Sequence, residues 1–565
     1  MLCLAPSAGF ASVTTAGFRG RTGSGLIVKR RRLPIGTQTF SKLRERDCYY
    51  VDKTAYIEQL WNSGDCYFLS RPRRFGKSLF VDTLKEVFEG NKELFRGLHI
   101  HDRWDWSVRH PVVRLSFGSG NFKDPQQVSS SVMLQLDYAW HRCKAALRQA
   151  PLHQRFRRFL SGLGRPQFGY RTDSSAADRF WHLLRAMRRA AGCRVVVLVD
   201  EYDKPILDAL ELPEVAKANR DFLRGLYGVV KDCDEDIRFS FITGVSKFSK
   251  VSLFSGLNSL RDITLNPHYS AICGYTERDL DEVFAPELPG LDRDRIRRWY
   301  NGYNWLGGER VYNPFDILLL FGDRKFKHYW IETGSSKFLI DTLERRGVTA
   351  LDLERMWVAD AQLSKFDVED IGTEALLFQT GHLTITEERE VGGKAEYRLH
   401  YPNREVRQSL NEGLLERMAR DPAKLWRNLR QLREAMEAAE RAGLKRVLRQ
   451  IFINHPYQLH AGSKVGKYEA VYVVVVSTHF LALGFDVTLE ESSSVGRTDM
   501  VVKHGGRVYV VEFKVDAAKG AALRQIKDKG YAEKHMNAGG PVYLMGLEFS
   551  SKTHNVEHLD LERAK

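Results

Sequence analysis

Asp499, Glu512 and Lys514 stand at a spacing that can do phosphate chemistry. Two strand-like runs, Gly496–Val502 and Arg507–Lys514, flank Gly505-Gly506, a pair of residues suited to a two-residue hairpin loop. With those glycines as the loop, Asp499 falls opposite Glu512. Lys514, two residues further on, projects from the same face as Glu512. Two carboxylates and an ammonium at one end of one face can bind Mg2+ or Mn2+ beside a scissile phosphate. They can also lower the pKa of a metal-held water and offset the charge that develops on the phosphate.

A second constellation lies far upstream. The apolar run Cys66–Ser70 enters Arg71-Pro72-Arg73-Arg74-Phe75-Gly76-Lys77-Ser78, and Phe80, Leu84, Val87 and Phe88 then share one helical face that Gly90 is placed to end. Strand, Gly-Lys-Ser and helix N-terminus in that order form an anion site. Backbone N–H groups face phosphate, Lys77 reaches toward it, and the Ser78 hydroxyl joins a magnesium shell. Arg71 stands where the full phosphate-loop pattern has glycine. The run Val195–Val199 delivers Asp200 and Glu201 at its C-terminal end, the edge where open α/β sheets bind ligands. Asp200 is expected to hold magnesium through water and Glu201 to orient or deprotonate the attacking water. Thr243, at the end of Arg238–Gly244, is the expected γ-phosphate sensor, with Ser246 and Lys247 as weaker choices.

The elements that must position these residues are legible as apolar runs. Cys66–Ser70, Pro111–Phe117, Arg194–Asp200 and Arg238–Gly244 lack polar alternation, which predicts parallel strands buried on both faces and flanked by helices. His141 to Arg189 reads as a long Arg-rich helical insertion between the second and third strands. Residues 33–285 are therefore expected to form one α/β domain. In 286–420, Ala375–Leu383, a short strand pair through Tyr397–Tyr401 and a helix after Pro402 suggest a winged helix within a helical lid. Residues 421–455 read as a helical connector, 456–565 as the last domain, and 1–32, which hold no acid, as a disordered basic tail. The run Ala470–Phe485 is short for a membrane span and is broken by Ser477, Thr478 and His479, so a buried core helix is expected.

Length fits about three domains. A net charge of +15, with Lys+Arg 86 against Asp+Glu 71, suits a polyanionic partner. The seven cysteines are scattered without CxxC spacing, which points away from zinc and from a disulfide framework, toward a reducing, cytoplasmic setting.

The stretches LPIGTQTFSKLRERDCYYVDKT, LSRPRRFGKS, LVDEYDKPILD, FITGVSKFSKVSLFSGLNSL and AICGYTERDLDEVF together closely resemble the bacterial AAA-ATPase-like family, from Leu33 onward. In that family Arg-Pro-Arg-Arg-Phe-Gly-Lys-Ser is itself the usual phosphate loop. The resemblance leaves three roles open for Arg71, Arg73 and Arg74: touching phosphate, acting in trans, or packing on the sheet edge. Arg71 and Arg74 are carried here as nucleotide contacts. The C-terminal segment resembles PD-(D/E)XK nucleases, with Thr498 in place of the usual proline. That resemblance implies a restriction-endonuclease-like α/β fold. It also adds Glu469 as a helix carboxylate toward the metal, and Gln525 and Lys529 as an auxiliary pair one helical turn apart. The expected protein is an ATPase that uses ATP and Mg2+, coupled to a metal-dependent nuclease acting on DNA or RNA, with a homo-oligomer left open and no membrane contact. The rival reading is an ATP-switched regulator whose nuclease-like domain binds nucleic acid without cutting it.

Overall fold

The computed structural model describes residues 30–149, 174–247, 253–254, 257, 259–330, 336–354, 356–363, 366–367, 370–419, 421–454, 468–493, 496–537 and 539–564. Most of the basic tail, the middle of the His141–Arg189 insertion, Ser255, Gly256 and Asn258 of the FSGLN motif, and Ile331–Gly334 lie outside the described residues, as do 456–467.

The N-terminal sheet is parallel, as the apolar runs require. Its strands are β1 (Cys66–Ser70), β2 (Val112–Ser116), β3 (Val195–Asp200), β4 (Ile237–Gly244) and β5 (Arg261–Asp262), ordered β2-β3-β4-β1-β5. All residues of β1 and β3 are buried, because helices cover both faces. Two features of this sheet were not expected. The two-residue β5 pairs with β1 at Tyr67 and Phe68, and β4 lies between the strand entering the phosphate loop and the strand carrying Asp200. Helix α1 (Lys77–Phe88) leaves the loop directly and ends before Gly90, whose φ of 76° is the left-handed turn that stops it. The described parts of the Arg-rich insertion are α2 (Pro125–Gln149) and α3 (Ala176–Ala191), the latter opened by a Ser175–Asp178 capping box.

The middle region contains α4 (Arg293–Tyr300). It also contains a three-stranded antiparallel sheet of β6 (Trp357–Ala359), β7 (Thr384–Val391) and β8 (Lys394–His400), and then α5 (Arg404–Met418). The hairpin starts earlier than expected because Gly392-Gly393, both at positive φ, make its turn. Its outer arm exposes Glu387, Glu388, Arg389 and Glu390.

The expected connector is instead two helices, α6 (Pro422–Ala438) and α7 (Arg441–Asn454), reversed at Ala439 with φ 50°. Their apolar faces carry Leu429, Leu432 and Met436 on one side and Leu444, Val447 and Leu448 on the other. These join the same buried cluster as Val476 and Phe513, so the pair belongs to the C-terminal core. The apolar run forms α8 (Tyr468–Ala482), buried as expected. His479 Nδ1 donates to Val475 O at 2.7 Å, and burial holds its pKa down to about 4. Among the described residues no helix is long and apolar enough to cross a membrane. The last sheet is mixed, β9 (Asp486–Ser493), β10 (Gly496–His504), β11 (Arg507–Val515), β12 (Val542–Ser550) and β13 (Asn555–Arg563) in sequence order, with α9 (Ala521–Asp528) between β11 and β12. Only β11 and β12 pair in parallel.

Candidate functional site

The phosphate loop takes its shape from buried polar atoms. Arg71 is fully buried, and its guanidinium donates to the carbonyls of Ser70 (2.8 Å), Thr264 (2.9 Å), Tyr269 (3.0 Å) and Ser270 (3.4 Å). It also lies over the Trp305 ring at 4.1 Å. Burial pulls its pKa down to about 10. Arg71 is therefore not a nucleotide contact but the sheet-edge arginine of the three open roles, tying β1 to the segment after β5. Arg74 does face the cavity. Its φ is 71°, a left-handed backbone that costs a non-glycine residue roughly 1 kcal/mol, and its guanidinium lies 4.5 Å over Phe315.

That cavity has a volume of about 570 Å³ and is lined by Gly76, Lys77, Ser78, Glu201, Arg73 and Arg74 on its polar side. Tyr49, Tyr50, Ile272, Phe315 and Leu318 form an apolar wall, of which Phe315 and Leu318 lie outside every motif quoted above. Gly76 (φ 92°) is the N-cap of α1, so the first N–H groups of the helix point toward the loop. Lys77 is buried and donates to the carbonyls of Arg71 and Pro72, both at 2.9 Å. Burial lowers its pKa, opposed by Glu201 and Asp200.

Asp200 ends β3 fully inside the protein. The guanidinium of Arg114 stands 3.8 Å from its Oδ2, and its Oδ1 has no hydrogen-bond partner among the described residues. A buried carboxylate oxygen with an unused lone pair beside a phosphate loop fits a hydrated divalent cation. Glu201, next along, sits at φ 54° with its pKa raised by burial and lowered in part by Lys77. Strain at a carboxylate facing the cavity matches the pattern of functional positions. Thr243 does not reach the cavity. It is fully buried, and its hydroxyl donates to Leu69 O on β1 at 2.8 Å, so it joins two strands and the sensor expectation fails for it. The end of β4 is organised by Asp203, which accepts from the backbone N–H groups of Val245 (3.1 Å) and Ser246 (2.6 Å). A side chain at Gly244 would meet Asp203 Oδ1 at 2.3 Å, so glycine is required there. Arg114, the lone cation inside the strand Val112–Ser116, is a signal in the sequence that no motif accounts for. It pairs with Asp82 of α1 at 2.6 Å as well as approaching Asp200.

The C-terminal hairpin has the expected register. Met500 pairs with Val511 and His504 with Arg507 around Gly505-Gly506, whose φ values are 56° and 74°. One position beyond that ladder, Phe513 N–H donates to Asp499 Oδ2 at 2.8 Å and Asp499 N–H approaches Glu512 Oε2 at 3.4 Å. Glu512 is 2% exposed, and its Oε1 receives Lys514 Nζ (3.4 Å) and the Gln525 amide. Lys514 also reaches Glu469, in the first turn of α8, at 3.5 Å. Burial and then the charge of Asp499 push Glu512 up to about 7, and burial raises Asp499 as well. Burial works to lower Lys514, but Glu469, Glu512 and Asp499 outweigh it and raise it. A buried Glu512 whose ionisation the half-buried Asp499 opposes fits a cation between the two. Among the described residues no three acid, His or Cys side chains converge as a ready ion cage, so Glu469 enters through Lys514 rather than as a third neighbour. Lys529 does not join the cluster. Helix α9 ends at Asp528, and Lys529 is its exposed C-cap with no contact to the acids among the described residues.

A "Predicted AAA-ATPase" family model matches residues 34–254, and a "PD-(D/E)XK nuclease superfamily" model matches residues 467–559. A protein of Azotobacter chroococcum mcd 1, described as "Uncharacterized protein in vnfD 5'region", is 51% identical over 532 residues. The match covers 94% of this chain and 98% of that one. The chain belongs to the AAA-ATPase-like family. No solved structure matches it. This AAA-ATPase-like chain thus carries a P-loop-type α/β domain and, at its C-terminus, a nuclease-superfamily domain. The two polar sites described above fall inside those two matched segments.

Two outcomes follow from the site geometry. Arg71→Ala strands four buried carbonyls and should lower the unfolding free energy of the ligand-free protein by about 3 kcal/mol or more. Lys77→Ala should shift it less while abolishing nucleotide binding. A wild-type melting curve for Arg71→Ala, with nucleotide affinity alone lost, would return Arg71 to the ligand. For Glu512, a folded-state pKa raised to about 7 means that the native state holds a proton the unfolded chain has already lost between about pH 4.5 and 7. Stability of the chelator-treated protein should therefore fall as pH rises through that window, and Glu512→Gln should flatten the slope. An unchanged slope in Glu512→Gln, read by denaturant unfolding, would contradict it.

Proposed function

We infer that this chain binds and hydrolyses ATP with Mg2+ at the phosphate loop, and that its nucleotide state controls a Mg2+- or Mn2+-dependent nuclease site acting on DNA or RNA. The observation that carries the reading is the convergence of Asp499, Glu512, Lys514 and Gln525 at one end of the β10–β11 hairpin.

At the N-terminal site, Gly76 and the start of α1 offer backbone N–H groups to phosphate, and Lys77 and Ser78 line the same wall. Asp200, with its unused Oδ1, would hold the cation. Glu201, raised by burial, is the group to take a proton from water. The apolar wall of Tyr49, Phe315 and Leu318 suits the face of a base. At the C-terminal site Asp499 and Glu512 would hold the cation, which when bound supplies charge neutralisation and a more acidic water. Lys514, positioned by Glu469 and Glu512, would offset charge on the phosphate, and Gln525 fixes the Glu512 carboxylate.

The route between the sites is continuous. The Trp330 indole N–H donates to Arg73 O of the phosphate loop at 3.2 Å, and the Trp330 backbone N–H donates to Glu405 at 2.8 Å. Glu405 lies in the first turn of α5, and α5 packs along α8, whose first turn holds Glu469. The middle hairpin presents Glu387, Glu388 and Glu390 to solvent, the wrong sign for a phosphate groove. A nucleic-acid wing there is not favoured.

Purified protein would be tested on linear, circular and single-stranded DNA and on RNA, with Mg2+ or Mn2+, with and without ATP. Cleavage is expected, lost in Asp499→Ala and reduced ~10²–10³-fold in Lys514→Ala, with its ATP dependence removed by Lys77→Ala. Equal cleavage with and without ATP would sink the coupling. Absence of cleavage on every substrate, with ATP hydrolysed and nucleic acid still bound, would favour the regulator that binds without cutting.

A further inference from the structure

Helix α4 carries four arginines in two rows. Arg293 and Arg297 are matched by acids, to Glu277 at 2.6 and 2.9 Å and to Asp281 and Asp294 at 3.0 and 2.8 Å. Arg295 and Arg298, three residues apart on another side of the helix, are exposed, and among the described residues neither pairs with a carboxylate. Arg295 instead lies 4.1 Å over the Phe326 ring, which packs on Trp299 at 5.8 Å.

Two more arginines, Arg404 and Arg433, lie near this floor, and the first of them touches it. Arg404 lies 5.2 Å over the other aromatic, Trp299. Its guanidinium also crowds Gly484, where a Cβ would stand 2.7 Å from Nη2. Arg433 of α6 donates to Leu483 O at 3.0 Å, so both cations touch the turn that follows α8. Arg404 Nε is buried without a hydrogen-bond partner, and neither Arg404 nor Arg433 has a carboxylate within ion-pair distance among the described residues. Glu412, the nearby acid, accepts from Gln408 at 3.0 Å instead.

The placement of Arg404 is unfavourable without an anion. It is the first residue of α5, where the helix dipole is positive, and Asn403 already caps that end through Val406 N–H at 3.1 Å. Burial lowers the Arg404 pKa, and Arg433, Arg295 and Arg298 lower it further. Four arginines from three helices are thus close enough for three of them to act on Arg404, two of the four lie over aromatic rings, and among the described residues Glu412 is the one acid that Arg433 feels. Interleaved guanidinium and aromatic surfaces are what a nucleic-acid backbone and its bases use. Four guanidinium groups offer more charge than one phosphate would neutralise, which favours a polymer over a free anion.

We propose that Arg295, Arg298, Arg404 and Arg433 form a phosphate-backbone site for nucleic acid at the seam between the lid helix α4 and the C-terminal domain. The proposal rests on the nucleic-acid reading given above and adds where the strand is gripped. Gly484 and Glu469 lie at opposite ends of α8, ~20 Å apart along its axis. A backbone engaged at both the arginines and the acid pair would cover about six nucleotides at 3.4 Å each.

The test is fluorescence anisotropy of the full-length protein with labelled 30-nucleotide single-stranded DNA, duplex DNA and RNA across a salt series in EDTA. Arg295→Gln/Arg298→Gln uses exposed positions that the fold does not need. It should weaken binding about tenfold or more near 0.1 M salt and reduce the slope of log affinity against log salt by about 2. Lys92→Gln/Arg96→Gln, an equal loss of exposed charge on another face, should leave both within about twofold. Unchanged affinity and slope in the arginine pair, with wild-type binding intact, would overturn this site and leave the nuclease reading standing. An equal loss in the control pair would also overturn it, as a net-charge effect alone. Absence of wild-type binding to all three probes would overturn both. Loss of binding in the arginine pair, with no cleavage by any protein, would support the site and count against the nuclease.

Discussion

A guanidinium sealed from water must find an acceptor for its N–H groups or lose several kcal/mol of solvation. Arg71 finds four carbonyls, on β1 and on the chain that follows β5, and lays its face on Trp305, with only Nε left without an acceptor among the described residues. The phosphate loop begins from this knot. Where other phosphate loops start on a flexible glycine, this one starts on a residue whose bonds dictate where the next carbonyls lie. Lys77 folds onto two of them, those of Arg71 and Pro72. Asp203 does the matching work at the end of β4, holding Val245 and Ser246 against a glycine that admits no side chain.

The same constraint shapes the C-terminal site with the signs exchanged. Glu512 is nearly as buried as Arg71, and it answers burial by accepting from Lys514 and Gln525 while Asp499 crowds it from the neighbouring strand. The site is held in tension between the two acids, and Lys514 relieves it only in part. Both sites therefore stand at strand ends where polar side chains are buried and incompletely matched, the condition under which ions and phosphates bind. Arg404 and its neighbours repeat the motif on the surface between them.

Much of this was legible because the signals were local. Gly505-Gly506 set the hairpin register, and apolar runs without alternation marked the buried strands. What was not legible depended on partners distant in sequence. Nothing in Arg71 says that its neighbours will be Thr264 and Tyr269 rather than phosphate. Thr243 ends a strand next to a motif residue, as a sensor would, yet β4 lies beside β1 and the hydroxyl meets Leu69 O. Lys529 has the right spacing from Gln525, but α9 stops one residue before it. The break between α6 and α7 falls at Ala439, which takes a left-handed φ without the glycine or proline that would have announced it. Arg114 was the opposite case, a charge within an apolar strand whose meaning was there to be read.

If nucleotide controls cleavage as proposed, the phosphate loop and the acid pair act as one device joined through Trp330, α5 and α8. Hydrogen exchange of the full-length protein with and without a non-hydrolysable ATP analogue tests it most directly, with Lys77→Ala as the control. Altered protection is expected in 404–418 and 468–482 as well as in 66–90 for the wild type, and in none of them for Lys77→Ala. Protection changes confined to 66–90 and its immediate neighbours, with α5 and α8 unmoved, would contradict it.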